Sequence, residues 1–202
     1  MKLDTIIFDL GGVLIDWNPE YVFRNIFEDK REMQYFFDYI CTHDWNIQQD
    51  AGRSLAIATE EKVAEFPDYE HQIRAFYGRW QEMLGGAIEE TVEILDTLRK
   101  QDSHRLLALT NWSHETFPVA LELYDFLNWF EGIVVSGQEK LIKPDLRIYK
   151  LLINRYEVEP SRALFIDDNK HNVIGAREAG LHAVRFESPG QLRGFLQEQG
   201  IL

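Results

Sequence analysis

Short apolar runs recur along the chain, each of strand length and each closed by glycine or a polar residue: TIIFDL from Thr5, RLLALT from Arg105, GIVVSG from Gly132, RALFIDD from Arg162 and HAVRF from His182. Runs that are apolar throughout, rather than alternating, mark strands buried on both faces of a parallel sheet. Between them the apolar spacing becomes helical. EETVEILDTLRK sets Val92, Leu95 and Leu98 on one face, with acids early and bases late as the helix dipole favours. PDLRIYKLLINRY opens with Pro144 where a first helical residue would stand and directs Leu146, Tyr149, Leu152 and Ile153 inward. NVIGAREAGL ends on Gly180, a suitable C-terminal cap. The alternation predicts an α/β fold, a parallel sheet with helices on both faces.

From about Asn18 to about Gly85 the alternation stops. PEYVFRNIF, REMQYFFDYI, SLAIATEEKVAEF and EHQIRAFYGRWQEML all carry helical patterns, with no convincing strand among them. The stretch is too long for a single crossover. It predicts a small helical bundle at 18–85, inserted after the first strand of a sheet domain made of residues 1–17 and 86–202.

Composition adds limits. A chain of 202 residues, 45% hydrophobic and 27% charged, is an ordinary globular protein of one domain, or of one domain carrying a smaller insertion. Its formal charge of −13, from 21 basic and 34 acidic residues, argues against nucleic-acid or anionic-membrane partners, which need a basic face. An anionic small substrate would need locally concentrated positive charge. The lone Cys41 has no disulfide partner, fits a reducing compartment and reads as a buried structural thiol rather than a nucleophile. No apolar run approaches the roughly twenty residues of a membrane span, and the first strand begins almost at once, so a cytoplasmic location is expected. The oligomeric state leaves no signal in the sequence.

Asp9 poses the chemical question. Aspartate is a poor strand former, yet it sits at the mouth of a buried run, before Gly11–Gly12. In open parallel sheets, ligands bind beyond the carboxyl ends of the strands. Residues just past those ends are Asp9, Thr110–Asn111 and Asp167–Asp168, with Lys143 in the loop after the third strand. Each has a plain structural alternative: a turn former at Asp9, a helix-entry cap at Thr110–Asn111, a solvated lysine at Lys143, and helix capping at Asp167–Asp168, which is compatible with metal binding. Together they are the inventory for binding Mg²⁺ and handling a phosphoryl group. Asp9 and Asp168 would supply carboxylates and Gly11 a carbonyl oxygen to the ion. Asp9 would be the nucleophile, and Thr110 and Lys143 would hold phosphoryl oxygens, with Asn111 and Gly12 beside them on the substrate. Asn169 and Asn172 read as supporting or capping residues.

In that order and spacing, FDLGGVL, LALTNWS, LIKPDLRIY and FIDDNKHN resemble motifs one to four of the haloacid dehalogenase-like hydrolase superfamily, and the helical insertion resembles its type-1 cap. The resemblance implies a Rossmann-like core of strand order 3-2-1-4-5 and Mg²⁺-dependent phosphatase chemistry. It makes Asp9 the nucleophile, Thr110 and Lys143 the phosphate-binding pair, and Asp168 a metal ligand, with Asp167 orienting Lys143 or a metal-bound water.

One departure matters. Most phosphatases of that superfamily have a second aspartate two residues after the nucleophile, as general acid and base, and here Gly11 stands there. Such help is typically worth about 10²–10⁴ in rate. Glycine at this place resembles a subgroup similar to glucose-1-phosphate phosphatases, whose anomeric leaving group needs less proton assistance. Asp16 is not a replacement by spacing. The segment CTHDWNIQQDAGRS, with His43, Asp44, Trp45, Asp50 and Arg53, reads equally as a roof over the site or as an ordinary helix-to-helix loop. The expected function is a Mg²⁺-dependent phosphatase acting on a small phosphorylated metabolite, with a sugar phosphate the favoured substrate. The alternatives are a metal-independent 2-haloacid dehalogenase, against which the doubled acid Asp167–Asp168 argues, and a non-catalytic binding module.

Overall fold

In the computed structural model, which describes residues 3–202, the first apolar run becomes strand β1 (Thr5–Phe8), buried along its whole length. A tight loop leads to a short strand, β2 (Ile15–Trp17). The chain then runs through helices α1 (Glu20–Phe23), α2 (Lys30–Tyr35), α3 (His43–Asp50), α4 (Leu55–Glu65) and α5 (Glu70–Gly78), and returns by β3 (Leu84–Ala87). Strands and helices alternate thereafter: α6 (Glu89–Gln101), β4 (Arg105–Thr110), α7 (Phe117–Leu123), β5 (Gly132–Val135), α8 (Ser136–Glu139), α9 (Leu146–Arg155), β6 (Ala163–Asp167), α10 (Lys170–Glu178), β7 (His182–Arg185) and α11 (Pro189–Glu198).

The five expected strands form one sheet of order β5-β4-β1-β6-β7, parallel at every pairing. Counting only these strands along the chain gives 3-2-1-4-5, the order the family resemblance implies. Side chains alternate between the faces, as a two-residue period requires. Ile6, Phe8, Ala108, Leu164 and Ile166 pack with Ile94, Leu95 and Leu98 of α6 and Leu192 and Leu196 of α11. Ile7, Leu107, Leu109 and Phe165 pack on the other face with Ile148, Tyr149 and Leu152 of α9. No helix among the described residues is long and apolar enough to cross a membrane.

Several details differ from the pattern-based reading. On α6 the fully buried stripe is Thr91, Ile94, Leu95 and Leu98, with Val92 only packed against its edge. Pro144 precedes α9 instead of opening it: the Lys143–Pro144 peptide is cis, and Asp145 caps the helix by accepting from Arg147 N–H at 2.9 Å. Tyr149 and Leu152 are buried as expected, Ile148 joins them, and Leu146 and Ile153 are only partly buried. β2 and β3 were not expected. They pair antiparallel, Ile15 with Ala87 and Asp16 with Gly86, where the helical segment leaves and rejoins the sheet. A strand reading Leu84–Gly85–Gly86–Ala87 looks like a turn, because its only stabilisation is the distant partner. Asp16 is tied into this ribbon region, accepting from the Tyr21 hydroxyl at 2.5 Å.

The helical segment is organised by aromatic rings. Phe23 has no exposed surface and lies with its ring centroid 4.9 Å from that of Phe36, 5.3 Å from Phe37 and 5.9 Å from Phe76. Cys41 is buried, and burial pushes its thiol well above the ordinary range. Replacing Phe23 with alanine is expected to lower unfolding stability by about 3–5 kcal/mol, measured by urea titration. A loss below about 1 kcal/mol would show that these rings do not form the segment's core.

Candidate active site

Asp9, Thr110–Asn111 and Asp167–Asp168 stand where strands end, and Lys143 lies in the loop between α8 and α9. Asp9 N–H still donates to Ile166 O at 2.8 Å, continuing the ladder, while its carboxylate turns into the loop and accepts from Leu10 N–H through Oδ1 at 2.7 Å. The chain folds back at once: Gly12 N–H donates to Ile15 O, and Leu14 and Ile15 N–H both donate to Leu10 O. Gly12 adopts φ +73°, and a Cβ there would stand 2.7 Å from Asp168 Oδ2, so backbone and carboxylate meet only because position 12 has no side chain. Gly11 differs. A Cβ at 11 would meet nothing within 4 Å. Neither space nor backbone demands glycine there, so the missing acid is not a steric concession.

The centre of the site is Lys143, whose side chain has no exposed surface. Its Nζ lies 2.6 Å from Asp167 Oδ2 and 2.9 Å from Asp9 Oδ1. Asn111 clamps the lysine backbone from both sides, donating through Nδ2 to Lys143 O at 3.0 Å and accepting from Lys143 N–H at 2.8 Å. Asp167, fully buried at the end of β6, also accepts from Asn169 N–H at 2.8 Å and from Asn172 Nδ2 at 3.1 Å on each oxygen. Thus Asn111 is engaged with the lysine, and Asn172 supports Asp167. Thr110 Oγ1 is buried without a hydrogen-bond partner.

Carboxylate oxygens of Asp9, Asp167 and Asp168 lie within 4.8 Å of one another, facing one ammonium. Burial pushes the Asp9 carboxyl up to about 8, with Lys143 pulling down and Asp167 pushing further up. Burial and then Asp167 raise Asp168 as well. Burial works against the charge on Lys143, but Asp167 and Asp9 outweigh it and hold the ammonium above the ordinary lysine value. The surplus of negative charge fits a divalent cation.

Asp9, Asn111, Lys143 and Asp168 floor a cavity of about 510 Å³, whose lining does not include Thr110 or Asp167. Trp17, Trp112 and Ser113 line it from the sheet side, and His43, Asn46, Asp50, Tyr77 and Trp80 from the helical segment. The stretch His43–Asp50 is helix α3, capped by Thr42 Oγ1, which accepts from Trp45 N–H at 3.1 Å. His43, Asn46, Ile47 and Asp50 share one of its faces, the face on the cavity. Sequence patterning left this segment open between roof and loop, since its apolar content is too low for a clear helical stripe. Asp44 and Arg53 are not in the cavity wall, and Arg53 pairs with Gln48 and Glu61.

The haloacid dehalogenase-like hydrolase family model matches residues 3–180. The chain belongs to that family. Among similar family members, pyrophosphatase PpaX of Bacillus mycoides is 23% identical over 98% of this chain and 89% of its own length. Sesquiterpene phosphatase astK of Aspergillus oryzae is 26% identical over 87% of this chain and 85% of its own. A haloacid dehalogenase family enzyme of Bacteroides thetaiotaomicron, solved with magnesium and inorganic phosphate as an aspartate-to-alanine mutant, superposes with a TM-score of 0.71 at 19% identity, covering 92% of this chain and 95% of that one.

Two expectations follow for the hydrolase fold at this site. Gly11→Ala should be nearly neutral, whereas Gly12→Ala, with positive φ and Asp168 in the way, should cost more than about 1 kcal/mol in a denaturant titration; equal effects would contradict the geometry. For the acids, a folded-state pKa near 8 at Asp9 lies above its unfolded value, so the folded state binds more protons between those two values and stability falls as pH rises through that window. Chelator-treated protein should melt lower at pH 8 than at pH 5. Mg²⁺ should raise the melting temperature more at pH 8, where protons compete less, and Asp168→Asn should reduce that gain. A Mg²⁺ effect independent of pH and of Asp168 would exclude this cluster as the cation site.

Proposed function

We propose that this hydrolase is a Mg²⁺-dependent phosphatase that releases phosphate from a small phosphorylated metabolite through an aspartyl-phosphate on Asp9. The observation that carries the proposal is the buried Lys143 held between Asp9 and Asp167, with Asp168 beside them at the floor of one cavity. The phosphatase activities named for two relatives, and the magnesium and phosphate in the Bacteroides enzyme, point the same way.

The residues divide the work. Asp9 Oδ1 is engaged by Leu10 N–H and Lys143, which leaves Oδ2 to attack phosphorus. Lys143 and Thr110 hold phosphoryl oxygens, while Asn111 and Asp167 fix the lysine. A Mg²⁺ ion held by Asp9, Asp168 and the Gly11 carbonyl would supply the positive charge that keeps Asp9 ionised and polarises the phosphoryl group. The ester P–O bond breaks as the Asp9–phosphorus bond forms, and water then hydrolyses the acyl phosphate to return Asp9 and phosphate. Residues 18–85 act as a cap on the sheet domain of residues 1–17 and 86–202, excluding water from the cavity during the first step.

With no acid at position 11, an ester with a good leaving group is favoured, a sugar 1-phosphate among them. The same absence suits a metal-independent 2-haloacid dehalogenase, but clustered carboxylates around a nucleophile repel one another without a cation. Phosphate release from an aryl phosphate should require Mg²⁺, stop in EDTA, and fall by roughly 10⁴–10⁶-fold in Asp9→Asn. Turnover that survives both changes, or halide release from a 2-haloacid in EDTA, would reject the phosphatase mechanism.

A further inference from the structure

We propose that Asp50, at the C-terminal end of α3, is the acid and base that position 11 lacks, protonating the leaving oxygen from the cap side of the cavity. The inference rests on the phosphatase reading above and identifies where its protons go.

On the walls of the cavity, few side chains can move a proton. Asp9 and Asp168 are committed to the nucleophile and the cation, and the Lys143 ammonium to its two carboxylates. His171 and His43 line the cavity but are largely exposed to solvent. Tyr77 is tied up, its hydroxyl donating to Asn46 Oδ1 at 2.9 Å and accepting from Gln49 Nε2 at 3.1 Å. Asp50 remains. It is half-buried, it lies on the same helical face as His43 and Asn46, and it is anchored. Ser136 Oγ donates to its backbone carbonyl at 2.6 Å and in turn accepts from Trp112 N–H at 2.9 Å. Trp112 and Ser113, from the loop after β4, line the same cavity wall beside it. The helix end that carries Asp50 is therefore fastened through Ser136 to Trp112 in the loop after β4, the loop that begins with Asn111.

Its electrostatic setting suits the task. Burial pushes the Asp50 carboxyl up to about 7, against the opposing pulls of Ser113 N–H and Lys143. The carbonyl dipoles at the end of α3 act in the same direction as burial, since a helix C-terminus disfavours negative charge. A carboxyl balanced near neutrality can serve as acid in one step and base in the next. Tyr77 on α5, Lys143 from the sheet domain, and His43 on its own helix are the other titratable groups facing this part of the cavity.

The proton balance closes. As Asp9 Oδ2 bonds to phosphorus and the ester P–O bond breaks, the departing oxygen takes the Asp50 proton and leaves as an alcohol. Water then attacks the aspartyl-phosphate, gives a proton to the Asp50 carboxylate, and frees Asp9 and phosphate. Both residues end as they began.

The test compares wild type with Asp50→Asn, which keeps the size of the side chain but cannot exchange a proton, on esters of graded leaving-group acidity with Mg²⁺ present. For kcat/KM, which reports bond breaking, the loss should be about 10²-fold or more on alkyl phosphates and shrink towards p-nitrophenyl phosphate. On p-nitrophenyl phosphate the variant should show a burst of nitrophenol, at most one equivalent per active site, before a slow steady state, because the second step has lost its base. Asp50→Ser serves the same test where the amide variant does not fold. A loss of one factor on every ester without a burst, or no loss at all, would overturn the role of Asp50 alone. A wild-type chain releasing no phosphate from any ester would overturn the phosphatase reading with it.

Discussion

Burying the Lys143 ammonium, with no exposed side-chain surface, is unfavourable by several kcal/mol unless its charge and hydrogen bonds are met, and much of the sheet edge is arranged to meet them. Asp9 and Asp167 take the charge from two adjacent strands. Asn111, from a third, pins the lysine backbone through both atoms of its amide. Asn172 and Asn169 satisfy what remains of Asp167. Four loops are cross-linked by one buried cation. The floor of the site is thereby preorganised: rotating any member away leaves a buried polar or charged group short of a partner.

The arrangement leaves a charge problem of its own. Three carboxylates share one ammonium, and burial alone would hold Asp9 protonated near neutral pH. A protonated carboxyl is a poor nucleophile. A divalent cation held by Asp9 and Asp168 would reverse that balance. Position 12 serves the same end by geometry, since only glycine lets the first loop approach Asp168.

Position 11 carries the functional tension. The room beside it would admit a side chain, yet it offers none. In the proposed reaction the proton would have to come from solvent or from the opposite wall of the cavity. That wall is built by α3, whose end is fastened to the sheet domain at Ser136, while the next helix, α4, is fastened where Leu55 N–H donates to Glu115 Oε1 at 2.8 Å. The loop after β4 thus touches both the helical segment and, through Asn111, the backbone of Lys143.

The sheet and most of the site floor were legible in the chain itself. Doubly buried parallel strands need uninterrupted apolar runs, and polar residues at their ends have one destination, so Asp9, Thr110, Lys143 and Asp167–Asp168 could be grouped before any coordinates. Other features required the tertiary structure. The β2–β3 ribbon exists only by pairing residues far apart in sequence, and its glycines conceal it. The start of α9 is set by Asp145, which caps it, and not by Pro144. Gly11 and Gly12 are identical letters, and only the proximity of Asp168 separates the required one from the dispensable one. Asp50 is one acid among many until α3 is laid over the cavity. Local periodicity reports which face of an element is buried; which surfaces then meet depends on long-range packing that no short window of sequence contains.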